Sequence, residues 1–347
     1  MLPRILCEME AKAMRGRVFL VLAALLCVMP QADSSRTLQP KPKPPMTLRH
    51  SKVPAGGIAV PFEYFRRHIY VTVSLQGKPG FVFMLDSGAN RNILNLRTSK
   101  LLGMQPLELQ QERNVGFGDA PVYVAPEERI NATIGSIQVA QTMAVIDLNR
   151  FEQHFGHPTD GMLGYPFLRN FVVKVDFEKR LLTLFPIDGY IYRGSGLEIA
   201  LKPSPDFVIT PIALGSDRLA RYSIDMAIDT GSDATMMLYD QYVRQLELVD
   251  SRQHSVSGLA FGLNGFYPVA LGSIHSFSIG DAETHNVAVD YLAEDDTAVA
   301  KQKLPGAIGN GILQNFRAVI FDVPQGRMYL ELKPPPLTPG TTRVVRY

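Results

Sequence analysis

Two nine-residue segments of this 347-residue chain repeat each other: Phe81-Val-Phe-Met-Leu-Asp86-Ser87-Gly88-Ala89 and Ile224-Asp-Met-Ala-Ile-Asp229-Thr230-Gly231-Ser232. Each is an apolar run ending in Asp, a small hydroxyl residue and Gly. A carboxylate at the end of a buried strand is costly unless it is hydrogen-bonded or paired. The Gly lets the backbone turn sharply and brings its own N–H close to that carboxylate. Two such units in one chain point to two carboxylates, Asp86 and Asp229, brought face to face.

One copy of Asp-Ser/Thr-Gly is unsurprising in a chain this long. The segments downstream of the two copies are more telling. Met162-Leu-Gly164-Tyr-Pro-Phe-Leu168-Arg-Asn170-Phe171 and Ala307-Ile-Gly309-Asn-Gly-Ile-Leu313-Gln-Asn315-Phe316 share one pattern: two apolar residues, Gly, two free positions, an apolar residue, Leu, one free position, Asn and Phe. Gly164 follows Asp86 by 78 residues and Gly309 follows Asp229 by 80, so the halves read as copies of one unit. Both continue into β-prone runs bounded by turn residues, Phe171–Phe185 and Phe316–Leu332, which read as hairpins.

These residues resemble the aspartic peptidases, the pepsin and retropepsin superfamily. Their motif is apolar-Asp-Thr/Ser-Gly-Ala/Ser, with a later apolar-apolar-Gly packed under each catalytic loop, here at Gly164 and Gly309. Asp229-Thr-Gly-Ser-Asp233-Ala-Thr235 is closer to the retroviral form, because Asp and Thr stand four and six positions after the first Asp. The resemblance covers residues 58–333. It implies an all-β, bilobal acid-protease fold: two homologous β-barrel-like lobes, 57–188 and 197–333, with a cleft between them and hairpin flaps above. It further implies that Asp86 and Asp229 are catalytic, that Ser87 and Thr230 tie the two loops together, and that Gly88 and Gly231 offer N–H groups to the carboxylates. Flaps belong at 114–123 and 257–267, which makes Phe117, Tyr123, Phe261 and Phe266 candidates; Tyr123 reads equally well as a plain strand tyrosine.

Such a pair holds one proton between two carboxyls, as in the superfamily's own member pepsin. Ser232 can hydrogen-bond Asp229 where Ala89 cannot serve Asp86, so the proton is expected on Asp86 and activity at a milder pH than pepsin's. No cofactor or metal is implied, and the partner is a peptide or protein substrate. Two halves in one chain remove the need to dimerise, so a monomer is expected. Two other readings fit the same residues: a non-catalytic binding or inhibitor protein using this cleft, and an unrelated β-sandwich with a coincidental repeat.

At its start the chain carries a short basic segment, Met14-Arg-Gly-Arg17, and a twelve-residue apolar core, Val18–Met29. Residues 1–32 therefore read as a secretory signal, too short to span a bilayer comfortably; an uncleaved anchor is the alternative. Both cysteines, Cys7 and Cys27, lie in it, and its removal brings the formal charge from +2 to zero. A neutral, cysteine-free exported protein suits a bacterial periplasm. Residues 33–56, with Pro40-Lys-Pro-Lys-Pro-Pro45, read as a stiff linker, and 334–347 as an exposed tail.

With 20% charged residues and so small a net charge, nucleic-acid binding has no support. No Gly-x-Ser-x-Gly elbow, phosphate loop or dinucleotide fingerprint occurs. His154-Phe-Gly-His157 lacks an acidic or cysteine partner at zinc-site spacing and reads as a pair of loop histidines. Asp225 reads as an outward-facing partner for a basic residue. Short helices are expected over 97–102 and 240–246.

Overall fold

The computed structural model describes residues 53–334 apart from 105–107, 113–114, 119, 216–220, 247, 249–254 and 293–302. The expected signal, the expected linker up to residue 52 and the expected tail beyond Pro334 lie outside the described residues. Within them the fold is mostly β, in one 13-stranded and one 7-stranded sheet.

Each half is laid out around a central parallel pair. In the first, β3 (Lys78–Leu85) runs beside β8 (Gly161–Leu163), with Leu85 opposite Leu163. In the second, β13 (Arg221–Ile228) runs beside β18 (Gly306–Ile308), with Ile228 opposite Ile308. Both pairs are buried at their ends, as expected of strands apolar on both faces. Alternation sends successive residues to different places. Phe83 and Leu85 enter the main core, whereas Met84 joins a second cluster with Ile93, Phe151, Phe155 and Met162.

The surrounding strands repeat the plan. Around β3 and β8 stand β2 (His68–Leu75), β4 (Asn92–Asn95), β7 (Ile137–Ile146), β6 (Val122–Ile134) and β5 (Gln110–Glu112), in the order β2-β3-β8-β4-β7-β6-β5. Around β13 and β18 stand β12 (Val208–Gly215), β14 (Met236–Tyr239), β17 (Ala282–Leu292), β16 (Gly265–Ile279) and β15 (Val256–Gly262), in the matching order β12-β13-β18-β14-β17-β16-β15. A further pairing closes each strip, β2 to β6 and β12 to β16. The shared Gly-x-x-apolar-Leu pattern is a single helical turn in each half, α3 (Tyr165–Leu168) and α5 (Asn310–Leu313). The repeated Asn caps both: Asn170 Nδ2 donates to Pro166 O at 2.8 Å, and Asn315 Nδ2 to Gly311 O at 3.1 Å.

The expected hairpins form as β9 (Val172–Asp176) with β10 (Leu181–Phe185), and β19 (Ala318–Asp322) with β20 (Arg327–Glu331). They also pair with each other through β9 and β19, so both halves feed one sheet and the described residues make one compact unit. Tyr192, in the glycine-rich joint between the halves, stacks on Tyr329 at 4.0 Å and accepts Gly196 N–H at 2.8 Å, which packs that joint against β20. The expected helices are α1 (Leu96–Leu101) and α4 (Asp240–Gln245), with α2 (Asn149–Phe155) between them in the chain. Among the described residues no helix is long and apolar enough to cross a membrane.

Candidate active site

Each motif aspartate follows directly on its central strand and takes the last rung of the parallel ladder. Asp86 N donates to Leu163 O and Asp229 N to Ile308 O, both at 2.9 Å. The chain then turns back: Ala89 N reaches Asp86 O at 3.2 Å and Ser232 N reaches Asp229 O at 3.3 Å. Within each turn the glycine amide donates to the carboxylate, Gly88 N to Asp86 Oδ1 at 3.0 Å and Gly231 N to Asp229 Oδ1 at 2.9 Å.

Four hydrogen bonds then tie the two turns together, all between buried groups. Ser87 Oγ donates to Ile228 O at 2.6 Å and accepts Thr230 N–H at 2.9 Å. Thr230 Oγ1 donates to Leu85 O at 3.0 Å and accepts Ser87 N–H at 2.9 Å. Each hydroxyl thus satisfies one backbone donor and one backbone acceptor of the opposite half. The glycines let the turns approach this closely: a Cβ at Gly88 would stand 2.5 Å from the Asp229 carboxyl, and one at Gly231 would strike the Asp86 carboxyl. Gly164 and Gly309 make room beneath. Side chains there would run into the carbonyls of Ala89 and Arg91, and of Ser232 and Ala234.

The carboxyls of Asp86 and Asp229 meet in this frame. Burial pushes Asp86 well above the ordinary carboxylate range, the Asp229 charge pushes it further, and the Gly88 and Ala89 amides pull back. Burial also raises Asp229, which its hydrogen bonds from Gly231 and Asp86 hold to about 6. The bond between the carboxyls raises Asp86 and lowers Asp229. The expectation from sequence has this direction with a different cause. Ser232 Oγ instead accepts the Ala234 N–H at 3.2 Å inside its own turn, 4.0 Å from Met237 Sδ, because a serine at a turn satisfies the nearest backbone donor first.

Both aspartates line a cavity of about 330 Å³. One wall is the apolar cluster of Met84, Ile93, Phe151, Phe155 and Met162; another carries Met237, Tyr267 and the partly buried Asp290, whose pKa burial and Asp233 raise. Three of the four flap candidates reach this cavity. Phe117 stacks on Tyr267 at 5.2 Å, and Phe261 lies flat on His154 at 4.0 Å, with Phe266 edge-on to both. Tyr123 does not: it lies in β6 between buried Val122 and Val124, so strand parity turns it outward and leaves it half exposed.

The loop that carries Phe117 and the β15–β16 turn are joined to each other through Asn264. Asn264 Oδ1 accepts Gly116 N–H at 2.8 Å, Nδ2 donates to Ala120 O at 2.6 Å, and its backbone exchanges bonds with Phe117 O and Ala120 N. Asn264→Ala leaves Gly116 N–H and Ala120 O without partners, each worth about 1–3 kcal/mol when buried. Amide exchange in 115–120 and 262–265 is expected to rise by about 10- to 100-fold, with core strands β3 and β13 unchanged. Equal exchange in both proteins would show that Asn264 is no latch.

Several residues of the site carry little or no signal in the sequence. His154 belongs to α2 rather than a loop and faces the cavity, while His157 is buried, stacked on Tyr70 at 3.9 Å and 3.2 Å from Glu63, so the two histidines part company. Asn310, at one of the free positions, donates Nδ2 to Thr230 O and Arg67 O, both at 2.6 Å, directly beneath the second turn. His68 approaches that turn from the side, with Nε2 3.1 Å from Gly231 O. Only the His154/His157 spacing stands out in the sequence. Asp225 faces outward 3.7 Å from Lys202, as expected.

No curated protein matches this chain. Residues 71–167, which include Asp86 and Gly164, match the family model described as aspartyl protease. That match lies on the half that carries Asp86 and supports membership of the aspartic peptidase superfamily.

Proposed function

We propose that this protein is an aspartic endopeptidase that hydrolyses peptide bonds with water activated between Asp86 and Asp229. The observation that carries the reading is the pair itself: two buried carboxyls on turns tied together by four reciprocal hydrogen bonds, each carboxyl raised by burial. The ionised Asp229 draws a proton from a bound water, whose oxygen attacks the peptide carbonyl. Asp86 donates its proton to the developing oxyanion, giving a neutral tetrahedral adduct. Collapse of that adduct passes a proton to the leaving nitrogen and restores the singly protonated pair. The substrate is an extended peptide segment whose apolar side chains fill the Phe151 and Phe155 side of the cavity. We further propose that residues 1–32 direct export.

Cleavage of a peptide library by the exported form, lost in Asp86→Asn and blocked by a statine-type transition-state analogue, tests this. The active form needs Asp229 ionised and Asp86 protonated, so the rate falls as pH drops through about 6 and again at higher pH as the pair loses its proton. The two limbs report the pair, not either residue alone. An optimum confined to strongly acidic pH contradicts the assignment. Tight binding of the analogue with no cleavage at any pH selects the non-catalytic reading.

A further inference from the structure

The second catalytic turn is held by a strained hairpin from the other half of the chain. The turn between β1 (Ile58–Phe65) and β2 consists of Arg66 and Arg67, whose φ values of 46° and 64° lie in the left-handed region that side-chain-bearing residues rarely adopt. Two-residue hairpins of this twist favour Asn-Gly. Strain of this kind persists where surrounding contacts over-determine it, and here they are specific. Arg67 Nη1 donates to Asp233 O at 2.9 Å, Arg67 O accepts Asn310 Nδ2 at 2.6 Å, and His68 Nε2 lies 3.1 Å from Gly231 O.

A carbonyl oxygen can only accept, so His68 Nε2 carries the proton and donates it. The ring is buried against Phe155, at 4.6 Å edge-on, and Phe151, and its Nδ1 has no hydrogen-bond partner among the described residues. Nε2–H thus makes the bond to Gly231 O, while the Arg66 carbonyl in the adjoining hairpin also faces the ring. The bond fixes the Gly231 carbonyl, hence the Gly231–Ser232 peptide whose N–H closes the turn on Asp229 O.

We propose that His68 is a positioning residue for the Asp229 turn, holding it from the first half as a neutral Nε2–H imidazole. This rests on the proposed peptidase reading for its catalytic consequence, though not for its structural one. The groups that face the ring are Asp233 beyond the turn, His157 after α2, Arg66 in the hairpin and Tyr70 on its own strand. Burial lowers the His68 pKa below 6.5, and His157 lowers it further, against the pull of Asp233 and of the Gly231 and Arg66 carbonyls. The unfolded chain therefore takes up a proton that the folded ring refuses, and stability falls as pH drops from about 6.5 toward the lowered value.

His68→Leu keeps the apolar packing and removes the donor; His68→Gln keeps a donor and cannot titrate. In His68→Leu, kcat is expected to fall about 10- to 100-fold with KM within about twofold, as misplacement of a catalytic group produces, and His68→Gln to recover most of it. Amide exchange across 229–233 rises in His68→Leu, and His68→Gln loses up to one proton of the pH dependence of unfolding between pH 6.5 and 5. Unchanged exchange in His68→Leu overturns the proposal whatever the activity, and an unchanged pH slope in His68→Gln overturns the neutral ring. A wild type that cleaves nothing, with exchange raised in His68→Leu, overturns the peptidase reading and upholds the positioning role.

Discussion

Asp229→Asn is expected to remove hydrolysis and yet raise the melting temperature at pH 7. In the unfolded chain this carboxyl ionises near 3.8; in the fold it holds its proton to about 6. Between those values the folded state binds more protons, so stability is lost as pH rises through the window, and the penalty is fully present above it. At 1.36 kcal/mol per unit, the buried charge costs about 3 kcal/mol at pH 7. Asparagine is neutral at every pH, and its Oδ1 still accepts the Gly231 amide. It also removes the charge that pushes Asp86 upward. The melting temperature should therefore rise by a few degrees at pH 7 and little at pH 3.5, where Asp229 is mostly protonated in both states. Loss of the ionisable base should cost about 10²- to 10⁴-fold in rate. Melts at the two pH values decide it: a variant less stable than wild type at pH 7 would show that the carboxylate is not held against its own charge.

Thr230→Val is expected to cost both stability and rate. Valine matches threonine in shape, so packing is kept while Leu85 O loses its donor and Ser87 N its acceptor. Both groups are buried, and an orphaned backbone group costs about 1–3 kcal/mol, giving roughly 2–6 kcal/mol in total. The two bonds made by Ser87 Oγ remain, so the halves stay joined but the carboxyls lose their mutual register, and the rate falls as well. Thr230→Ser keeps both bonds and should stay within about 1 kcal/mol of wild type. Denaturant melts of the three proteins provide the test, and equal midpoints for Val and wild type would remove Thr230 from the frame.

How much of this site is legible in the sequence depends on the range of each interaction. Gly88, Gly231, Gly164 and Gly309 are legible because a close backbone approach excludes any side chain at a fixed place in a repeat. Asn170 and Asn315 repeat because each satisfies a carbonyl four residues earlier. Asn310 breaks the repeat, standing where the first half has Tyr165, so it reads as a free position. Its partners are Thr230 and Arg67, 80 and 243 residues away. Asn264 reaches back 148 residues to Gly116 and His68 forward 163 to Gly231, and no local pattern announces either. Ser232 misleads for the opposite reason, since the hydroxyl expected at a carboxylate is taken by an amide two residues on.

The amino-acid order alone determined which residues recur: a strand-end acid, a hydroxyl, a glycine and a later supporting turn, twice, because strand parity, turn chemistry and close approach act over a few neighbouring residues. Tertiary structure alone decided how deeply the two carboxyls are buried, which hairpins meet through Asn264, and that a histidine of the first half lies against the turn of the second. Those outcomes depend on burial and on bonds between segments far apart in the chain, and these exist only once the sheets have closed.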